Sequence, residues 1–161
     1  MEKLRIYLDD VRTPNSPNNE WVEGIAEWTI VRSFQEFVDA VIQVGLEGIE
    51  VISLDHDLGD TAMKEYFENV SPNYQLNYDN ITEKTGMDCC KWLVNYFYDT
   101  NLGRDLMSRS EKKTEPFPFP TVFVHSANPI GSANMMGYIN NFFMNEGQPQ
   151  SCVRVRIPHT I

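Results

Sequence analysis

Three features that the sequence lacks narrow the classes of protein it can encode. No apolar run approaches the roughly 20 residues that a helix needs to cross a bilayer. The chain opens Met1-Glu2-Lys3-Leu4 and enters a predicted strand at once, which leaves no room for a secretion signal. Its three cysteines, Cys89, Cys90 and Cys152, form neither a disulfide framework nor a metal-ligand spacing. We therefore expect a cytoplasmic protein that does not act at a membrane.

Basic residues are also scarce. The 161 residues include 13 Lys or Arg against 23 Asp or Glu, for a formal net charge of −10. This balance argues against binding to a long nucleic-acid duplex, which relies on a basic surface. Binding of a short or terminal phosphate through a metal ion is still compatible with this charge. A role in solubility alone would also account for most of the charge. The length suits one domain over residues 1–161.

What the sequence does contain is a set of short apolar segments that end in polar side chains. In parallel α/β sheets, functional groups gather beyond the carboxyl ends of the strands. We therefore expect three strand ends to form one polar crevice. The segments and their ends are Leu4–Leu8 with Asp9 and Asp10, Ile49–Leu54 with Asp55, His56 and Asp57, and Thr121–Val124 with His125, Ser126 and Asn128.

Helices are predicted between most of these strands. Ser33 and Glu36 form a capping box, and a helical stripe of Phe34, Phe37, Val38, Val41 and Ile42 follows it. A second helix starts at Thr85 and is expected to end near residues 101–103. A third is expected over about Ser132 to Met144.

Two further strands are expected at Trp28–Val31 and Cys152–Ile157. In the latter, Val153, Val155 and Ile157 would point inward and Arg154 and Arg156 outward.

The alternation of helices and strands predicts an α/β fold with a parallel sheet covered on both faces. Right-handed crossovers favour five strands in the flavodoxin-like order 2-1-3-4-5. The first helix is reduced to a proline-rich connector, with at most a short helix near Trp21 to Ala26. Residues 60–84 are polar, with few periodic apolar positions, and we interpret them as an insertion or a lid with one helical turn near Met63 to Phe67. An insertion without a role is an equally good reading.

Three motifs carry a resemblance to a known family. They are Leu-Asp-Asp-Val-Arg-Thr-Pro at residues 8–14, Ser-Leu-Asp-His-Asp-Leu-Gly at 53–59 and His-Ser-Ala-Asn-Pro at 125–129. Together they resemble the cyclic-phosphate-processing receiver-like family, within the superfamily of response-regulator receiver domains. The resemblance implies a receiver-like fold and a divalent metal held by Asp9, Asp10 and Asp55. It also implies that Asp55 matches the receiver phosphoacceptor and that Ser126 contacts a phosphoryl oxygen. Unlike ordinary receivers, this chain has Ile157, not Lys, before Pro158.

The chemistry of these residues can be argued independently. Four carboxylates in one crevice (Asp9, Asp10, Asp55 and Asp57) would repel one another unless a divalent cation such as Mg²⁺ or Mn²⁺ joined them. Alternatively, one or two of them are turn or helix caps and no metal binds. His56 and His125 are candidates for proton transfer, because neighbouring carboxylates would raise the pKa of each imidazole.

Three other residues have two readings or a supporting role. Arg12 would bind a phosphate or form a salt bridge to Asp10 or Asp57. Asn128 would bind an oxyanion or cap a turn. Ser126 completes the candidate substrate-binding set.

Two functions follow from this constellation. The first is a metal-dependent phosphoesterase that opens or hydrolyses a cyclic phosphate on an RNA end or a cyclic nucleotide, with His56, His125 and Asp55 as catalytic residues. The second is a signalling or binding module that is phosphorylated on Asp55, or binds a phosphate-containing ligand without turnover. The paired histidines favour the enzyme, because a phosphoacceptor needs neither of them.

Overall fold

The computed structural model describes residues 2–14, 28–108, 117–156 and 159–160. Its main sheet has five parallel strands, and their order, β3-β1-β4-β5-β6, is 2-1-3-4-5 when these strands alone are counted. The predicted α/β fold class and strand order are confirmed. A separate antiparallel pair, which was not predicted, joins β2 (Thr13–Pro14) to β7 (His159–Thr160). The five strands are β1 (Leu4–Leu8), β3 (Thr29–Val31), β4 (Ile49–Leu54), β5 (Thr121–Val124) and β6 (Val153–Arg154).

Three long helices pack on one face of the sheet. They are α1 (Phe34–Val44), α4 (Gly86–Ser108) and α5 (Pro129–Asn145), and α4 contacts both of the others. Their connections all cross the sheet in the same direction, so right-handed crossovers place the helices on the same side. Residues 15–27, which form most of the connection that runs the opposite way, lie outside the described residues, and so does the short helix expected near Trp21 to Ala26. None of the described helices has the length and apolarity that a membrane span requires.

The core lies between this helical layer and alternate residues of the strands. Alternation along a strand sends successive side chains to opposite faces. The strand residues that enter the core are Ile6, Leu8, Ile52, Leu54, Val122 and Val124, and they meet Phe37, Leu93, Met135, Ile139 and Phe143 from the helices.

The predicted helix boundaries are partly wrong. The Ser33 hydroxyl caps α1 by accepting the Glu36 N–H, as expected, whereas the Glu36 carboxylate accepts the Arg32 N–H. Ile42 is 55% exposed, so the buried stripe of α1 is narrower than predicted. Helix α4 continues to Ser108, beyond its expected end. Helix α5 begins at Pro129, because Asn128 caps it and proline suits a first helical position.

The last strand lies at the edge of the sheet as predicted, but it is shorter than predicted. Only Val153 and Arg154 form a strand, and Val153 is 44% exposed where an inward side chain was expected. The Arg154 guanidinium donates to the Ser126 carbonyl from Nη2 at 2.8 Å and from Nε at 3.1 Å. This carbonyl follows the end of β5, and the arginine supplies it with donors. Ile157 lies outside the described residues.

The insertion, residues 60–84, has more regular structure than one helical turn. It contains α2 (Asp60–Glu65), a π-helical turn (Tyr66–Val70), α3 (Ser71–Asn73) and a 3₁₀ turn (Tyr78–Asn80). Two carboxylates organise it. Glu65 accepts N–H groups of Asn69, Asn77 and Asn80 at 2.8–2.9 Å. Glu83 accepts the Ala62 N–H at 2.9 Å and the Thr61 hydroxyl. Polar contacts of this kind leave no apolar periodicity in the sequence.

Candidate functional site

The ends of β1, β4 and β5 place the polar motifs side by side. Leu8 pairs with Leu54, and Leu54 pairs with Val124. The ladders continue one step further, because the Asp55 N–H donates to the Leu8 carbonyl and the His125 N–H donates to the Leu54 carbonyl. One carboxylate oxygen from each of Asp9, Asp10 and Asp55 lies within 4.8 Å of the others. We call these three residues the acidic cluster.

Asp9 is the most firmly held member of the acidic cluster. Its Oδ1 accepts the backbone N–H groups of Val11 and Arg12 at 3.1 and 2.8 Å. Its Oδ2 faces the Arg12 Nε at 2.9 Å and the His125 Nε2 at 3.2 Å. Burial opposes ionisation, but these hydrogen bonds and the charge of Arg12 hold the pKa of Asp9 well below its usual range. Asp9 is therefore the fixed negative charge of the site.

Asp55 has the opposite balance. It is 4% exposed, and its Oδ1 accepts the His56 N–H at 2.8 Å. Burial and then the charge of Asp9 raise the pKa of Asp55 to about 8, against the opposing effects of Arg12 and a hydrogen bond from Ser126. Asp10 is partly exposed, and burial and Asp9 raise its pKa as well. Two of the three carboxylates thus have too little positive charge near them.

Arg12 is the cation that the site does contain. Its Nε contacts Asp9 at 2.9 Å, and its Nη2 lies 3.6 Å from Asp55 Oδ2. The salt bridge considered from the sequence therefore forms, but with Asp9 and Asp55 as partners. Arg32 fixes the local backbone, because its Nη1 donates to the carbonyls of Arg12 and Asp9 at 2.7 and 3.1 Å.

His125 supports Asp9 from inside the protein. Its Nδ1 lies 2.8 Å from the Ser53 Oγ, its Nε2 contacts Asp9, and its ring stacks on Tyr7 with 4.3 Å between centroids. The expectation of a raised pKa is wrong for this residue. His125 is 4% exposed, and burial lowers its pKa despite the raising effect of Asp9. The loss of hydration destabilises the charged ring more than the Asp9 carboxylate stabilises it.

His56 is fully buried, and both of its ring nitrogens have partners. Its Nδ1 lies 2.7 Å from Asp57 Oδ1, and its Nε2 lies 2.9 Å from the hydroxyl of Tyr78. Asn134 also donates to that hydroxyl, at 3.2 Å. Sequence reasoning missed Tyr78, because a tyrosine in a polar insertion carries no signal that it returns to the strand ends.

Gly131 leaves room for the imidazole ring of His56. A Cβ at Gly131 would lie 2.4 Å from the ring of His56, so only glycine allows this approach. A similar restriction applies at Gly86, where a Cβ would lie 2.0 Å from the Asp55 carbonyl oxygen. These two close approaches fix where the backbone of α4 and α5 begins relative to the site.

Asp57 and Asn128 form a supporting pair. Asp57 lies outside the acidic cluster, and its Oδ1 contacts both His56 and the Asn128 Nδ2, the latter at 3.2 Å. The Asn128 Oδ1 accepts the Gly131 N–H at 2.9 Å, which is the capping role considered from the sequence. The Asn128 N–H donates to the Ser126 hydroxyl at 3.1 Å. This pair connects His56, the start of α5 and Ser126.

Comparison with known proteins identifies one family. The family model described as the cyclic-phosphate processing receiver domain matches residues 4–141, which include the three motifs and the insertion. No curated protein matches the chain, and no solved structure does. The match covers most of the sequence, and it agrees with the five-stranded parallel sheet. The chain belongs to the family of cyclic-phosphate processing receiver domains.

Proposed function

We propose that this protein is a metal-dependent phosphoesterase that opens or hydrolyses a cyclic phosphate on an RNA end or a cyclic nucleotide. The observation that carries the proposal is the acidic cluster, in which Asp10 and Asp55 have raised pKa values beside a fully ionised Asp9. Such a group favours binding of a multivalent cation, because the cation offsets the repulsion between its carboxylates.

The donor set suits a hard divalent cation. Asp9, Asp10 and Asp55 offer carboxylate oxygens, which are the ligands preferred by Mg²⁺ and Mn²⁺. When bound, such an ion would supply positive charge that polarises a phosphoryl group. Asp10 and Asp55 have raised pKa values and would gain most from such an ion, whereas both oxygens of Asp9 already accept hydrogen bonds. Asp57 supports His56 instead and is no longer part of the proposed ligand set.

Arg12 and Ser126 are the proposed phosphate contacts. Arg12 lies only 3.6 Å from Asp55 and is partly exposed, so its Nη groups can turn to an incoming anion once another cation offsets Asp55. The Ser126 hydroxyl already bonds Asp55, which places it beside the same carboxylate. In this arrangement Asn128 positions Ser126 and Asp57 and does not itself touch the substrate.

The two histidines take different parts in the proposal. His125 positions Asp9, because its Nε2 points at that carboxylate and its ring is enclosed. His56 is the better candidate for proton transfer. Its Nε2 contacts Tyr78, a residue that is 37% exposed, so among the described residues Tyr78 connects the buried ring to solvent.

The alternative is a module that accepts a phosphoryl group on Asp55 or binds a phosphate ligand without turnover. The enclosure of both histidines favours it, because a buried ring with two engaged nitrogens cannot touch a substrate directly. The connection from His56 through Tyr78 favours the enzyme. A phosphorylation assay with acetyl phosphate identifies the phospho-accepting form of the module by a retained label on Asp55. A module that only binds a phosphate ligand is recognised by binding without turnover.

The direct test is a turnover assay of the purified protein with Mg²⁺ or Mn²⁺ on 2′,3′-cyclic and 3′,5′-cyclic nucleotides. We expect one class to be opened to a monoester and Asp55→Asn to abolish this activity. Asp99→Asn, at an exposed position of α4, is the matched control and should behave as wild type. If no cyclic phosphate is consumed, or if Asp55→Asn keeps full activity, the enzyme proposal fails.

A further inference from the structure

A groove lies beside the site, between α4, α5 and the insertion. It is a shallow, open groove with a volume of about 360 Å³. Tyr78 closes the end nearest the strand ends. The residues that define the groove are Tyr78, Met87, Lys91, Asn134, Gly137 and Tyr138.

The lining of this groove has an unusual charge for the chain. The protein carries a formal net charge of −10, yet the described lining includes one cation, Lys91, and no carboxylate. The lining also includes two tyrosines, the amide residue Asn134 and Gly137, which has no side chain. Flat aromatic surface, amide groups and one ammonium are the features that recognise a base and a phosphate in single-stranded nucleic acid.

The groove is linked to the acidic cluster through one buried residue, His56. The Tyr78 hydroxyl lies 2.9 Å from His56 Nε2, and the His56 backbone N–H lies 2.8 Å from Asp55 Oδ1. One residue therefore separates the groove from the carboxylate at the centre of the proposed metal site. A ligand that fills the groove and also reaches the acidic cluster must carry an aromatic part and a phosphate part.

We propose that this groove binds the nucleobase of the substrate, and that it thereby selects cyclic phosphates carried by a nucleoside over cyclic phosphates without a base. The proposal rests on the proposed function, which it makes more specific. The base packs against tyrosine with its edge toward Asn134, and Lys91 faces a neighbouring phosphate. A cyclic phosphate without a base would use only the acidic cluster, Arg12 and Ser126.

Gly137→Leu is the cleanest variant for testing this proposal. A Cβ at Gly137 would meet no atom within 4 Å, so a leucine side chain has room to begin there and extends into the groove. Leucine also has a higher helix propensity than glycine, which protects the folding of α5. Gln43→Leu, at an exposed position of α1 away from the groove, is the matched control. Lys91→Met tests the ammonium separately, with Lys64→Met on α2 as its control.

The experiment compares adenosine and uridine 2′,3′-cyclic phosphates with the base-free methyl riboside 2,3-cyclic phosphate. Calorimetry measures their binding to metal-free protein in EDTA, and steady-state assays with Mn²⁺ measure their turnover. We expect Gly137→Leu to weaken nucleotide binding and raise KM by about tenfold or more, the usual effect of losing one stacked base. Its kcat, and all constants for the base-free compound, should match those of Gln43→Leu.

The outcomes separate this proposal from the proposed function. Nucleotide binding that Gly137→Leu abolishes, in a wild-type protein that turns over neither compound, supports the groove and refutes the enzyme. Equal kcat/KM for the nucleotide and base-free compounds, unchanged in Gly137→Leu, supports the enzyme and overturns the groove. Nucleotide binding at wild-type strength in both Gly137→Leu and Lys91→Met also overturns the groove.

Discussion

Two enclosed carboxylates, Glu65 of the insertion and Asp55 of the acidic cluster, are used in opposite ways. They are 3% and 4% exposed. Glu65 accepts three N–H groups, and although burial opposes ionisation, these bonds lower its pKa. Asp55 has Asp9 beside it, and burial together with that charge raises its pKa to about 8.

This contrast distinguishes a structural carboxylate from a ligand-binding one. The insertion gives Glu65 all the donors that its oxygens need, so the segment is complete without any further group. At the strand ends, Asp55 is repelled by the neighbouring carboxylates. A fold retains such repulsion when a bound ligand offsets it. This repulsion, more than the number of acids, is the reason to place a cation at the acidic cluster.

The largest expected effect comes from Asp55→Asn. It should reduce turnover by about 10³-fold or more, because a metal ion contributes several kcal/mol to stabilising charge at a phosphoryl group. It should also abolish the rise in melting temperature that Mn²⁺ produces by mass action. The metal-free variant should be at least as stable as wild type, because the amide removes a charge that burial disfavours. A Mn²⁺-dependent rise that survives in Asp55→Asn would move the ion to another site.

The matching change in the insertion, Glu65→Gln, should lower stability and leave metal binding unchanged. It should lower the free energy of unfolding by about 1–2 kcal/mol, because three hydrogen bonds lose their charged acceptor. Urea denaturation measures the loss, with the exposed Glu68→Gln as the control. The Mn²⁺-dependent rise in melting temperature should stay unchanged, and its loss would show that the two regions are not independent.

Arg12→Gln tests whether the guanidinium and the proposed ion offset the same carboxylates of the acidic cluster. The guanidinium offsets the same carboxylates as the proposed ion, so its removal should tighten Mn²⁺ binding by about threefold to tenfold. Turnover should nevertheless fall, because a phosphate contact is lost. Calorimetric titration with Mn²⁺ and a turnover assay measure the two effects, with the exposed Arg156→Gln as control. Weaker Mn²⁺ binding would show that Arg12 organises the ligands and does not compete with the ion.

Stability should also depend on pH. The folded pKa of Asp55, about 8, exceeds its ordinary value of 3.8, so the folded protein binds the extra proton across this window. Stability from this group is therefore complete below the ordinary pKa and is lost as the pH rises through the folded pKa. Urea denaturation in EDTA between pH 5 and 9 should show this decline, and Asp55→Asn should flatten it. Mn²⁺ should stabilise the protein more at pH 8 than at pH 6, since the ion displaces the proton.

The sheet and the grouping of Asp9, Asp10 and Asp55 could be predicted from the sequence for one physical reason. Short apolar strands that end in polar residues leave little choice about which side chains meet at the edge of a parallel sheet. The same reasoning brought His125 beside Asp9. It did not give the pKa of His125 correctly, because burial depends on Tyr7 and Ser53, which no local pattern connects to that ring.

What could not be predicted depends on polar contacts across the chain. Tyr78 reaches His56 only because Glu65 and Glu83 fold the insertion, and neither glutamate stands out in the sequence. From its position in the sequence, Asp57 is expected beside the other carboxylates. In the structure it contacts His56 and Asn128, the residue that caps α5. Hydrogen-bonded networks of this kind have no periodicity, so sequence patterns carry little information about them.

The close approach of Gly131 to His56 also predicts a pattern in homologous sequences. A methyl group at this glycine would lie 2.4 Å from the imidazole, and the ring has no room to retreat because Asp57 and Tyr78 hold both of its nitrogens. The two positions should therefore change together. A relative with alanine at the position of Gly131 should have lost the histidine or shifted the start of the helix, and the pair becomes a sequence marker for members that keep this internal network.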